Sequence, residues 1–129
     1  MTSPPVIAIV DDDASVRDAM GRLMRSFDLA VELYGSGAEL LGSPTLGGVA
    51  CVITDVQMPK MNGFALCEAL RARGCHVPII FMTAFSEQGH EQRARAAGAA
   101  CFVNKPFEDT EIIRCIERAL SLSGRQESC

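Results

Sequence analysis

The sequence has no apolar run near the ~20 residues needed to cross a bilayer as a helix, so no membrane span is expected. Its opening Met1-Thr2-Ser3-Pro4-Pro5 lacks the positive and long apolar stretches of a signal peptide, and a cytoplasmic location is expected. Positive charge is also in short supply. Twelve Lys and Arg against 16 Asp and Glu leave a net charge of −4, the wrong sign for a partner made of phosphate backbone or anionic lipid, so no nucleic acid is expected to bind here. Cysteine is present six times, but no CxxC pair occurs and no His stands at metal-ligand spacing, which excludes a zinc module. The cysteines therefore read as reduced, mostly buried small hydrophobes, with Cys129 in a polar terminus the exception. Two full domains do not fit in 129 residues, whereas 48% apolar content suits one compact core.

What is present is a strict alternation of two periods. Val6-Ile7-Ala8-Ile9-Val10 is a continuous β-branched run, the mark of a strand covered on both faces. It stops at Asp11, and Val16, Met20, Leu23, Met24 and Phe27 then fall at helical spacing, with Asp13 as N-cap. Further strands are expected at Ala30 to Tyr34, Val49 to Thr54, Val77 to Thr83 and Ala100 to Asn104. Helices are expected between and after them: a short one near Gly37 to Gly42, a third from Gly63 to Arg73 stopped by Gly74, a fourth from Ser86 to Ala97 and a fifth from Glu108 to Leu122. The fifth carries an apolar stripe of Ile112, Ile113, Ile116, Ala119 and Leu120. The fourth has little beyond Ala94 and Ala97 to bury, and less buried area means a helix held less firmly. Five βα units without hairpin signals specify an α/β fold, a doubly wound parallel sheet joined by right-handed crossovers.

In such a sheet the reactive site lies beyond the carboxyl ends of the strands. Reading those ends gives Asp11 and Asp12 after the first strand, Asp55 after the third, Thr83 at the end of the fourth and Lys105 after the fifth. Singly each has an ordinary explanation: a helix cap, a turn hydroxyl, a surface charge. Together they bring three carboxylates, a hydroxyl and an ammonium from distant parts of the chain to one edge. Crowded carboxylates repel, and a divalent cation relieves them. An all-oxygen set suits Mg2+, with Mn2+ an acceptable substitute, and disfavours zinc; His76 and His90 stand apart from the acids. Asp55, between the acid pair and Lys105, is the natural carboxylate nucleophile toward a phosphoryl group.

These residues resemble the receiver domain of bacterial two-component response regulators over residues 5 to 122. The resemblance is carried by Val10-Asp11-Asp12-Asp13, by Thr54-Asp55-Val56-Gln57-Met58-Pro59-Lys60-Met61-Asn62-Gly63, by Met82-Thr83-Ala84 and by Asn104-Lys105-Pro106-Phe107, in that order. The stretch Lys105 to Ile113, with Ile116-Glu117-Arg118-Ala119, is similar to the FixJ-like subgroup of LuxR/NarL-type regulators. It implies a flavodoxin-like (βα)5 fold with strand order 2-1-3-4-5, Asp55 as phosphoacceptor, Asp12 as a direct Mg2+ ligand and Asp11 acting through a metal-bound water. Gln57 would lend its backbone carbonyl to the metal. Lys105 would pair with one phosphoryl oxygen, and Thr83 with the Ala84 amide would bind another. Thr83 and Phe102 would form the switch, Pro59 and Gly63 would shape the loop, and the bond before Pro106 would be cis. Phe102 stands where the family often has Tyr, so its ring carries no hydroxyl. Phe85 and Gln57 would flank the path of the hydrolytic water, with Phe85 slowing loss of the phosphoryl group.

The partner so implied is a sensor histidine kinase, read partly by the first helix. The output would be a phosphorylation-dependent homodimer through the face of the fourth helix, fifth strand and fifth helix. Such a chain is not a turnover enzyme; it catalyses only its own phosphorylation and slow dephosphorylation. The alternatives are a Mg2+-dependent aspartyl-phosphate phosphohydrolase, which would want a second acid where Gln57 stands, and a stand-alone regulator acting by protein docking. Residues 1–122 are expected to form the receiver and 123–129 a polar tail or the start of an interdomain linker, with transcription controlled through a DNA-binding domain beyond it.

Overall fold

The computed structural model describes residues 5–84 and 89–123. Strands β1 (Val6–Val10), β2 (Ala30–Tyr34), β3 (Val49–Asp55), β4 (Ile79–Thr83) and β5 (Cys101–Asn104) alternate with helices α1 (Ala14–Ser26), α2 (Gly37–Leu41), α3 (Gly63–Ala72), α4 (His90–Ala96) and α5 (Asp109–Ser123). All strands pair in parallel in the order β2-β1-β3-β4-β5. The expected doubly wound α/β sheet is therefore present.

Its core is two cores, because successive strand residues face opposite sides. Ala8, Val10, Val52 and Phe81 meet Phe64, Leu66 and Leu70 of α3 and Ala94 of α4 on one face. Ile7, Ile9, Ile53, Ile80 and Met82 meet Met20 and Met24 of α1 and Ile112 and Ile116 of α5 on the other. The two helices beside β5 are anchored very differently. Ile112, Ile116 and Ala119 of α5 are sealed, each isoleucine contributing about 1.5–3 kcal/mol by burial. In α4 only Ala94 is buried.

Local chemistry sets the ends. Asp13 caps α1 by accepting from the amides of Ser15 and Val16 at 2.9 and 3.4 Å. Gly74, at φ +81°, turns the chain out of α3 in the left-handed region. Gly63 is demanded by contact: a Cβ there would sit 2.5 Å from the carbonyl oxygen of Asp55, and its amide donates to Val56 O at 2.9 Å. The start of α3 is thus pressed against the end of β3.

Several expected bounds shift for identifiable reasons. Strand β4 starts at Ile79 because Pro78 has no amide to donate, although its carbonyl still accepts from Val52 at 3.0 Å. Strand β3 runs one residue further and includes Asp55, paired in register with Met82. Helix α4 begins at His90 with Gly89 as its N-cap at φ +91°, and the proposed start at Ser86 lies outside the described residues. Phe27 is the C-cap of α1 and 49% exposed, not part of its buried stripe, since Asp28 at φ +61° turns the chain away there. A 3-10 turn at Leu46–Gly48, unmarked by any apolar period, leads into β3. Cys51, Cys67, Cys101 and Cys115 are free thiols, whereas Cys75 is disulfide-bonded, against its reading as a reduced thiol.

Gly63→Ala should cost about 1–3 kcal/mol by overpacking against the Asp55 carbonyl, read as a lower urea midpoint. Gly48→Ala, whose Cβ meets nothing within 4 Å, should leave the stability within about 0.5 kcal/mol of the parent.

Candidate functional site

Because every strand runs the same way, β1, β3, β4 and β5 deliver their last residues to one edge. Asp11 follows β1 and is fully buried; Asp55 ends β3 and is 9% exposed; Thr83 ends β4 and is fully buried. Asp12 is exposed, as are Gln57 and Ala84. One carboxylate oxygen from each of Asp11, Asp12 and Asp55 lies within 4.8 Å of the others.

The two less exposed acids are used in the same way. Asp11 accepts from the amide of Asp13 through Oδ1 at 2.9 Å and from Lys105 Nζ through Oδ2 at 3.0 Å. Asp55 accepts from the amide of Gln57 through Oδ1 at 3.2 Å and from Lys105 Nζ through Oδ2 at 3.4 Å. Each carboxylate thus closes a turn two residues ahead with one oxygen and shares a single ammonium with the other. Lys105 is brought there from β5 past the end of β4: its amide donates to Thr83 O at 2.7 Å, and the bond to Pro106 is cis as expected.

Electrostatics follow from burial and crowding. Burial pushes the Asp55 carboxyl up, and the charge of Asp11 adds to this; Lys105 and the Gln57 amide pull the other way without reversing it. For Lys105, burial favours the neutral amine, but the hydrogen bond to Asp11 and the charges of Asp55 and Asp11 outweigh it and raise its pKa. The lysine is therefore a firm cation at neutral pH. One ammonium against three carboxylates leaves two negative charges without a counterpart.

Two contributors escaped the reading of the sequence. Arg17 falls between the apolar positions of α1, yet its Nη1 donates to the backbone carbonyl of Asp11 at 2.6 Å and fixes the strand end. The hint was its position one turn into the helix, from which a long side chain reaches back toward the N-terminus. Beside the loop after β3, Arg93 stacks over the Phe64 ring at 4.5 Å, with the His90 ring 5.9 Å from the same phenyl. A cavity of about 450 Å3 opens there between Gln57, Pro59 and Arg93. Nothing local in the sequence marks that stack. Phe102 is half-buried against the α3 and α4 side of the sheet and lines a cavity of about 320 Å3 with Ala94 and Arg118. Phe85 lies outside the described residues.

Residues 7–117 match the family model of the response regulator receiver domain. The chain is 37% identical over 123 residues to the response regulator protein TodT of Pseudomonas putida, covering 95% of this chain and 54% of that protein. It is 37% identical over 124 residues to the transcriptional regulatory protein FixJ of Azorhizobium caulinodans, covering 94% and 59%. The chain spans a little over half the length of these curated relatives. The crystal structure of FixJ-N superposes with a TM-score of 0.83 at 33% identity, over 93% of this chain and 96% of that one. With that match, the likeness to the FixJ-like subgroup and the strand order it implied are both met. The chain belongs to the receiver domain family of two-component response regulators.

Proposed function

We propose that the chain accepts a phosphoryl group on Asp55 from a sensor histidine kinase and passes the change to its α4-β5-α5 face. The observation that carries this is the single Lys105 ammonium shared by Asp11 and Asp55, with the Asp12 carboxylate at ligand distance from both. An Asp55 oxygen attacks phosphorus as the P–N bond of a phosphohistidine breaks, and the imidazole leaves with a proton. Lys105 meets the charge on one phosphoryl oxygen; the Thr83 hydroxyl and the Ala84 amide take another. Gln57, through its amide, holds the attacking carboxylate in place. Its backbone carbonyl joins Asp11, Asp12 and Asp55 in the metal set.

The three acids fit a hard divalent cation, since all their donors are oxygen and the one ammonium leaves negative charge over. Mg2+, when bound, supplies positive charge against the phosphoryl oxygens. Asp11, Asp12 and Asp55 are the carboxylates that would hold it.

The added charge at Asp55 draws Thr83 in and frees space for Phe102, whose cavity against Ala94 lies between α4 and α5. The weakly buried α4 makes this face inexpensive to rearrange, and two copies associate through it. The apolar groove of about 570 Å3 between Leu23 of α1 and Phe107, with Lys105 at its edge, is the surface offered to the kinase. Residues 1–122 form the receiver, and 123–129 lead toward a DNA-binding domain that controls transcription.

Phosphoramidate with Mg2+ should add one phosphoryl group to the parent chain. Asp55→Asn should add none, and Lys105→Ala should slow the addition by roughly 10²-fold or more; continued labelling of Asp55→Asn would overturn the assignment. Thermal melts test the acid cluster. The raised Asp55 pKa means the folded state holds its proton more tightly than the unfolded one. Its contribution is most favourable below the ordinary carboxylate pKa and is lost as pH rises through the raised one. Metal-free Asp55→Asn should therefore out-melt the parent at pH 7, with the gap closing as pH falls through that range. Mg2+ at ten times its Kd should stabilise the parent by about 1.4 kcal/mol, a gain absent in Asp12→Ala. Sedimentation of the chain with beryllofluoride and Mg2+ should show a dimer where the untreated chain shows a monomer; an unchanged monomer would refute the output face.

A further inference from the structure

Away from the acid edge, Cys101 at the start of β5 and Cys115 in the middle of α5 face each other. The alternation of β5 sends Phe102 to the α4 side and Cys101 with Val103 to the α5 side, where Cys101 and Cys115 pack in the same apolar cluster. The two thiols are close enough that the proximity of Cys101 helps to raise the Cys115 thiol. Both are free and both are partly exposed. They line one cavity of about 680 Å3 whose rim carries Arg114, Arg118, Glu108 and Glu111. The third nearby thiol, Cys51, is fully buried beneath them and donates to its neighbour's carbonyl, Val52 O, at 3.9 Å. Two free thiols from different elements, packed in one cluster and open to one cavity, are placed to act as a convertible pair.

We propose that Cys101 and Cys115 form a reversible dithiol–disulfide site, oxidised by exchange with a small peptide disulfide of the glutathione type. A rim of two guanidinium groups and two carboxylates suits a zwitterionic peptide of that class. Cys101 Sγ attacks one sulfur of the small disulfide; that S–S bond breaks and one peptide thiol leaves, taking up the proton. Cys115 Sγ then attacks the Cys101 sulfur and expels the second peptide thiol with its proton. Two protein thiols are oxidised and one small disulfide is reduced to two thiols.

The order of attack follows from the surroundings of Cys115. Burial first, then the proximity of Cys101 and the charge of Glu111, push its thiol up to about 12, while Arg118 opposes them. Held in its protonated form, Cys115 is the second thiol to attack. The resulting bond ties edge strand β5 to α5 on the face opposite Phe102, and it forms whatever the fate of Asp55.

The test incubates the full chain with oxidised glutathione, blocks remaining thiols by alkylation, and maps unreduced tryptic peptides by mass. Cleavage after Arg95, Arg114 and Arg118 puts Cys101 on peptide 96–114 and Cys115 on peptide 115–118. These two peptides should appear joined, two hydrogens lighter than their sum, and separate on dithiothreitol. In Cys115→Ser the reaction should stop with one glutathionyl group on 96–114. Peptide 26–60, which holds Cys51, joined to either partner would overturn the proposal. So would a parent chain that keeps glutathione on Cys101, or one whose Cys101 and Cys115 are recovered only as alkylated thiols.

Discussion

A single ammonium between two buried or nearly buried carboxylates is the constraint around which the carboxyl edge of this sheet is built. Asp11 is wholly out of water, and an ionised carboxylate there without a partner would cost several kcal/mol. Lys105 and the Asp13 amide meet that cost together. The same lysine reaches Asp55, so the positions of β1, β3 and β5 at this edge are coupled through one side chain. The compensation is incomplete by design of the donor set: three carboxylates and one cation leave a deficit that a further positive charge can fill.

The scaffold supplies rigidity unevenly. Strands β1, β3 and β4 are buried along nearly their whole length, and the backbone of β3 is pinned at its end by Gly63 pressing on Asp55 and by the Val56 amide donating to Met82 O at 2.8 Å. Edge strand β5 is shorter and only partly covered. Its two flanking helices contrast in the same sense, with isoleucines under α5 and one alanine under α4. Since burial energy scales with apolar area, stability declines from the centre of the sheet toward the β5 side. The acid cluster sits at the firm end and the less covered surface at the other, with Lys105 and Thr83 between them.

Much of this was legible before any coordinates. The bounds of β1 and β2 were read to the residue, in β1 because an apolar run ends abruptly at Asp11. The acids, Thr83 and Lys105 were found because strand ends can be located from period alone. Where period is weak, the reading slipped. Pro78 is apolar and extended, so it resembled strand until the missing amide shortened β4. Phe27 continued the helical spacing of α1 but fell after the last hydrogen-bonded turn. Arg17 and Arg93 are charged residues on outer-looking helix positions, and only the approach of the Asp11 carbonyl and the Phe64 ring distinguishes them from ordinary surface charge.

The sequence by itself determined the alternation of strand and helix, and with it the arrival of all the reactive groups at one edge, because parallel strands separated by helices have no other way to end. Tertiary structure decided what each group does there. Asp11 and Asp12 are neighbours of identical chemistry, yet one is sealed against Lys105 and the other is open to solvent, since successive residues at a strand end point in different directions. Lys105 meets Asp11 across 94 residues of sequence, and Cys101 meets Cys115 only because β5 lies under α5. Contacts of that kind depend on packing between distant elements, and local spacing carries no record of them.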